Sequence, residues 1–153
     1  MRTARVRHEL PGARIGEAEA LWYDTSRWPA FVDGFGHIER IDGDWPQVGS
    51  RIVWDSKPGG RGRVVERVNA HEARVSQVVE VEDPKLRGTQ TLTFHTLDDG
   101  CEMTLELSYE LKEKGFGGAA TDLLFVRGAL RKSMARTLER FSRELTAERE
   151  LAS

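Results

Sequence analysis

The chain has a single cysteine, Cys101, among 153 residues. That excludes an internal disulfide framework and any cysteine-rich zinc site. It also lacks an excess of either charge: 23 Lys and Arg against 25 Asp and Glu leave a net −2, so no overall basic field draws it to nucleic acid or an anionic bilayer. No window approaches the roughly eighteen apolar residues of a membrane-spanning helix. The opening Met1-Arg2-Thr3-Ala4-Arg5-Val6-Arg7 has no apolar core of the kind a secretory signal needs. No two of His8, His37, His71 and His95 stand at i, i+4 on a helix, and no carboxylate joins them at ligand spacing, so no metal site is expected. Gly59-Gly60-Arg61-Gly62-Arg63 lacks the Lys-Ser/Thr of a phosphate-binding loop and reads instead as a hairpin tip with basic flanks. These absences predict a cytoplasmic protein with no cofactor, no nucleic-acid partner and no stable membrane insertion. A homodimer or a protein partner stays open.

What is present is a well-patterned single domain. Apolar residues are 39% and charged residues 31% of the chain, and the length suffices for one core but is tight for two. Val6, His8 and Leu10 alternate with charged residues before Pro11-Gly12, a first strand ending in a turn. Ala18, Leu21 and Trp22 have helical spacing within residues 16–24, and Ser26 is placed to cap a second short helix over 27–32 with Pro29 in its first turn. From His37 to Lys114 the period becomes two, which predicts strands at 37–41, 50–56, 61–70, 73–82, 88–97 and 102–112, a meander of antiparallel hairpins. In the last of them Met103, Leu105, Leu107, Tyr109 and Leu111 alternate with polar residues, so one face is buried and the other wet.

Gly115-Phe116-Gly117-Gly118 reads as a hinge and a gate. A long helix follows, with Val126, Leu130, Met134, Leu138, Phe141 and Leu145 in one apolar stripe. From Ala119 to about Arg149 it would run on the order of 45 Å at 1.5 Å per residue. A flat sheet of short strands cannot cover such a helix, so the sheet must curl around it.

The predicted fold class is therefore α+β: a curved antiparallel seven-stranded sheet wrapped around a long C-terminal helix, with two short helices after strand 1, the helix-grip arrangement. Particular residues agree. Trp22 followed by Asp24-Thr25-Ser26-Arg27-Trp28-Pro29 resembles the D-x-x-x-W-P segment of the START-like (SRPBCC) superfamily, the polyketide cyclase/dehydrase, lipid-transport and coenzyme Q-binding-like group. Val48-Gly49-Ser50-Arg51 is similar to that group's V-G-x-R entry to its third strand, and Leu138-Glu139-Arg140-Phe141 with Glu144 to the end of its terminal helix. The resemblance spans about residues 3–147, within a single domain taken as 1–153. It departs from the group's pattern at Asn69-Ala70-His71-Glu72, where a Pro pair often stands. The resemblance implies a cavity between sheet and helix that takes a small hydrophobic ligand.

Strand alternation then nominates the wall of that cavity. Met103, Leu105 and Leu107 bring Tyr109 inward; Val64 and Val68 bring Glu66; Val75, Val79 and Val81 bring Gln77; Ile52 brings Trp54. With Phe94, these make an apolar wall with a few polar handles, the composition of a small-molecule site. The doublets Val64-Val65 and Val78-Val79 leave the register of Glu66 and Gln77 open. Leu130 and Met134 supply the helix side, and Arg127, bordering the stripe, is placed to meet an acidic group on a ligand. Three functions follow: a carrier of a lipid, quinone or polyketide-like molecule; a polyketide aromatase/cyclase using Tyr109 and Glu66 as acid and base; or an accessory module docking through Arg131, Lys132 and Arg136. The first has the broadest support, because no nucleophile–base or metal constellation is visible.

Overall fold

The computed structural model describes residues 1–112 and 119–152, with the side chains of the last helix described from Val126 onward. The expected hinge and gate at Gly115–Gly118 lies outside the described residues. Strand β1 (Arg2–Pro11) leads into helix α1 (Ile15–Tyr23), a single 3-10 turn (Thr25–Arg27) and the one-turn helix α2 (Trp28–Phe31). Six strands follow: β2 (Phe35–Asp42), β3 (Arg51–Ser56), β4 (Arg63–Glu72), β5 (Ser76–Glu82), β6 (Leu86–Leu97) and β7 (Gly100–Leu111). Helix α3 (Ala119–Ala152) closes the chain. The seven strands form one antiparallel sheet in the order β1-β7-β6-β5-β4-β3-β2, so the meander runs in sequence and β1 returns to its far edge. This is the α+β helix-grip architecture the sequence predicts.

Side-chain alternation decides what lies beneath α3. One row across the sheet reads Ile52, Glu66, Val81, Gly88, Tyr109 and Arg2, each paired with the next. Residues opposed in an antiparallel ladder share a face. Glu66 is therefore on the same side as buried Ile52 and Val81. Gly88 has a specific use there: an added Cβ would fall on the Ser108 carbonyl oxygen and stand 3.0 Å from Tyr109 Cβ. From the helix, Met134, Leu138, Phe141 and Leu145 enter the core, while Val126 and Leu130 pack against it partly covered.

Boundaries moved where a turn or a partner strand decides them. β1 starts at Arg2, because β7 offers ladder partners as far as Tyr109. The strand expected at 73–82 begins at Ser76; Arg74 adopts φ 63 in the preceding turn, and Val75 is exposed there instead of sharing the Gln77 face. Ser26 is not the cap of the second helix. Asp24 takes that place for the 3-10 turn, its Oδ1 accepting from Ser26 N at 3.1 Å. The open registers resolve with Val64 and Val79 inside, a bulge between Val68 and Ala70 preserving the pairing beyond.

Two cations of α3, Arg136 and Arg140, and an arginine facing it, Arg27, are spent on the fold. Asp33, in the turn after α2, accepts from Ser133 Oγ at 2.7 Å and from Arg136 at 3.0 and 3.1 Å, with Arg140 at 3.1 Å. Arg27 bridges Glu144 at 2.6 Å and Glu148 at 3.2 Å. Of the three residues proposed as a docking face, Arg136 is thus engaged within the chain.

Candidate functional site

Strands β3 and β4 set the first two groups of the site. Trp54 opposes Val64, and Glu66 opposes Ile52, so the indole and carboxyl are diagonal neighbours on the inner face. Trp54 Nε1 donates to Glu66 Oε2 at 2.7 Å. Glu66 is half-buried, and desolvation of its carboxyl raises its pKa above the ordinary carboxylate value despite the Trp54 hydrogen bond and the Arg61 charge, which both pull it down.

Three further indoles form a rim. Trp28 Nε1 donates to the Trp22 carbonyl at 2.8 Å and Trp45 Nε1 to the Tyr23 carbonyl at 3.0 Å. Trp28 meets Trp45 edge to face at 5.8 Å between ring centroids, and Phe35 lies tilted on Trp54 at 5.5 Å. With the N–H groups of Trp28 and Trp45 tied down, their rings present apolar faces in fixed orientations. They enclose a cavity of about 70 Å³ between sheet and helix.

Polar groups enter this cavity from five parts of the chain. Glu66 and Gln90 reach it from β4 and β6, Asp33 from the turn after α2, and Ser133 and Thr137 from α3. Arg61 comes from the β3–β4 hairpin tip, its guanidinium carbon 5.8 Å from the centroid of the Trp54 ring. Asp33 is pulled two ways. Burial raises its pKa, but the hydrogen bonds from Arg136 and Ser133 and the charges of Arg136 and Arg140 outweigh that and hold it low.

Of the residues nominated from sequence, Trp54, Glu66 and Met134 line this cavity together. Gln77 is buried, but its Nε2 donates to the Pro46 carbonyl at 3.3 Å and so holds the loop that carries Trp45. Phe94 is a core residue paired with Met103. Tyr109 is fully buried over Gly88, and its hydroxyl finds no partner among the described residues. Leu130 packs against the core, and half-buried Arg127 has an enclosed Nε without a partner among the described residues. These five lie outside the cavity's lining.

Sequence reasoning missed Gln90 and Arg61. Gln90 shares the face of Leu92 and Phe94, so strand alternation alone would have placed it inside. Arg61 is different: nothing in a glycine-rich tip says that its arginine folds back over a tryptophan.

Two other clusters qualify earlier expectations. His37 lies 3.4 Å from Glu39 on its own strand, and the β2–β3 pairing brings it within 3.3 Å of Asp55, so carboxylates do join a histidine, the second of them across strands where linear spacing cannot show it. Arg63 already pairs with these acids, through two hydrogen bonds to Asp55 at 3.0 and 3.1 Å and at 3.8 Å from Glu39. Cys101 is buried, and burial pushes its thiol pKa up, with the Glu17 charge adding to the effect; this environment disfavours the nucleophilic thiolate.

The sequence matches, over residues 1–146, the family described as polyketide cyclase / dehydrase and lipid transport. No curated protein matches. Among solved structures, a protein from Thermus thermophilus superposes with a TM-score of 0.73 at 18% identity, covering 96% of this chain and 99% of that one. A conserved protein from Geobacillus kaustophilus gives 0.73 at 16%, covering 95% and 96%. Truncated norcoclaurine synthase from Thalictrum flavum gives 0.66 at 16%, covering 94% of each chain. At such identities these likenesses speak for the fold alone. Among the described residues, no helix is long and apolar enough to cross a membrane.

Proposed function

Because the chain belongs to the polyketide cyclase / dehydrase and lipid transport family, we propose that it binds a small, largely apolar molecule between its sheet and α3. The observation that carries this reading is the Glu66 carboxyl, half-buried among indoles and fixed by Trp54 at 2.7 Å. Burying an ionisable group is unfavourable for folding, and an oriented polar group in an aromatic cavity is what ligand recognition uses. At about 70 Å³ the cavity has room for roughly two water-sized groups. Ligand sites usually run to a few hundred Å³. Binding therefore includes movement of the Trp45 loop or the Val32–Asp33 turn, both of which border the space.

The test uses N-phenyl-1-naphthylamine, a neutral apolar dye. The expected result is saturable dye fluorescence, weakened about tenfold by Trp54→Leu. Because Trp54 is also a core residue, Met134→Trp provides the second arm: it fills the space from the helix side and should block the dye while melting cooperatively. Unchanged dye affinity in both variants overturns the reading.

A second reading, turnover of a polyketide-like substrate, is favoured by the same raised carboxyl acting as a general acid. Tyr109 is a poor partner for it: by the sheet row its Cα is three strands from that of Glu66, about 14 Å at the usual strand spacing. Under this reading Glu66→Gln abolishes conversion of a polyketone analogue and leaves dye binding intact.

A further inference from the structure

Arg61 is the best-positioned cation on the cavity wall. Asp83, itself buried, receives Lys85 N at 2.8 Å and Leu86 N at 3.0 Å on Oδ1, and Arg61 Nε at 2.9 Å on its other oxygen. One face of the guanidinium lies against Trp54. So anchored, Arg61 holds a buried donor group in reserve: Nη2 is covered from solvent and has no acceptor among the described residues. Across the same cavity wall, the Trp54 bond occupies Oε2 of Glu66, and Oε1 makes no hydrogen bond among the described residues.

We propose that Arg61 Nη2 and Glu66 Oε1 together recognise a single neutral acceptor oxygen on the ligand, a ketone-type carbonyl, with Asp83 as the positioning residue for Arg61. This rests on the cavity reading above and names the chemistry that cavity selects. Arg61 Nη2 is a donor at any pH, and burial pushes the Glu66 carboxyl toward its protonated, donating form, so the pair suits an acceptor. The Arg61 charge is already matched by Asp83. A ligand carboxylate would therefore bring an unmatched negative charge into a low-dielectric wall, whereas a carbonyl brings none. The small cavity volume suits the carbonyl end of a ligand, received among the indoles.

The experiment compares three planar isosteres by calorimetric titration: 2-acetylnaphthalene, 2-isopropenylnaphthalene and 2-naphthoate. The ketone is expected to bind at least tenfold tighter than the alkene, and tighter than the carboxylate. Arg61→Gln should bring the ketone-to-alkene ratio to within threefold of unity, a loss of preference that weakened packing, which lowers both affinities alike, would not produce. Asp83→Asn keeps an acceptor for the two backbone amides and should reduce the same ratio. Equal binding of ketone and alkene by the wild type, or an unchanged ratio in Arg61→Gln, overturns the clamp and leaves the cavity reading standing. Tightest binding of 2-naphthoate assigns the site to anions and overturns the neutral-oxygen assignment. If none of the three binds, the cavity reading falls and the clamp with it.

Discussion

The Glu66 carboxyl is held where ionisation is penalised, and this has a stability consequence with a definite sign. Its folded pKa is raised, so its contribution is fully present below the unfolded value of about 4.3 and is lost as pH rises through the folded value. Glu66→Gln keeps an acceptor for Trp54 Nε1 and removes the ionisation penalty. The variant should be more stable than wild type at pH 7, by on the order of 1 kcal/mol, and the gap should close below about pH 4. Urea midpoints at the two pH values check this; an equal gap at both contradicts it. Gly88 makes the second residue-scale prediction. With the Ser108 carbonyl oxygen and Tyr109 directly over it, Gly88→Ala should destabilise by about 1–3 kcal/mol, as overpacking against backbone does, and thermal unfolding reads the loss.

At the scale of elements, α3 is joined to the front of the molecule through Asp33. Ser133, Arg136 and Arg140 converge on that one carboxylate, and Thr137 Oγ1 accepts its backbone N–H at 3.0 Å. Asp33→Asn loses the charge-assisted bonds and should cost about 1–2 kcal/mol, since the arginines are half exposed and solvent screens them. The folded pKa of Asp33 is depressed, so its contribution is present above the unfolded value and lost as pH falls through the folded one. The advantage of wild type over Asp33→Asn should therefore begin to shrink below about pH 4 and vanish once the pH lies below the depressed folded value, which denaturant titrations across that range detect. Long periodic elements were readable in the sequence: β7 from its two-residue alternation, α3 from its stripe, α1 from Ala18, Leu21 and Trp22. Short junctions were not. Whether Asp24 or Ser26 caps, and whether Ala73–Val75 is strand or turn, depends on local hydrogen bonds and a positive φ that composition does not encode.

For the whole molecule, native mass spectrometry of freshly purified protein gives the most direct prediction. A discrete bound mass should accompany the wild type and be absent from Trp54→Leu. A clean unliganded mass would favour a substrate held only in passing. The amino-acid sequence by itself determined the fold class, because period-two and helical stripes record which faces are buried, and those patterns are local. It also placed Trp54 and Met134 on inward faces by the same rule and nominated Glu66, whose register the Val64-Val65 doublet left open. Only the tertiary structure decided which inward residues share the cavity. Trp54, Glu66 and Met134 meet there, whereas Gln77, Phe94, Tyr109, Arg127 and Leu130 pack elsewhere, although alternation and helical spacing alone do not separate the two groups. The tertiary structure alone also brought in Arg61, Asp33 and the indoles of Trp28 and Trp45. The reason is physical: periodicity specifies a side chain's direction within its own element, but a cavity forms where elements distant in sequence meet. A hairpin tip returning over Trp54, and a turn held to α3 by Asp33, are set by packing between those elements.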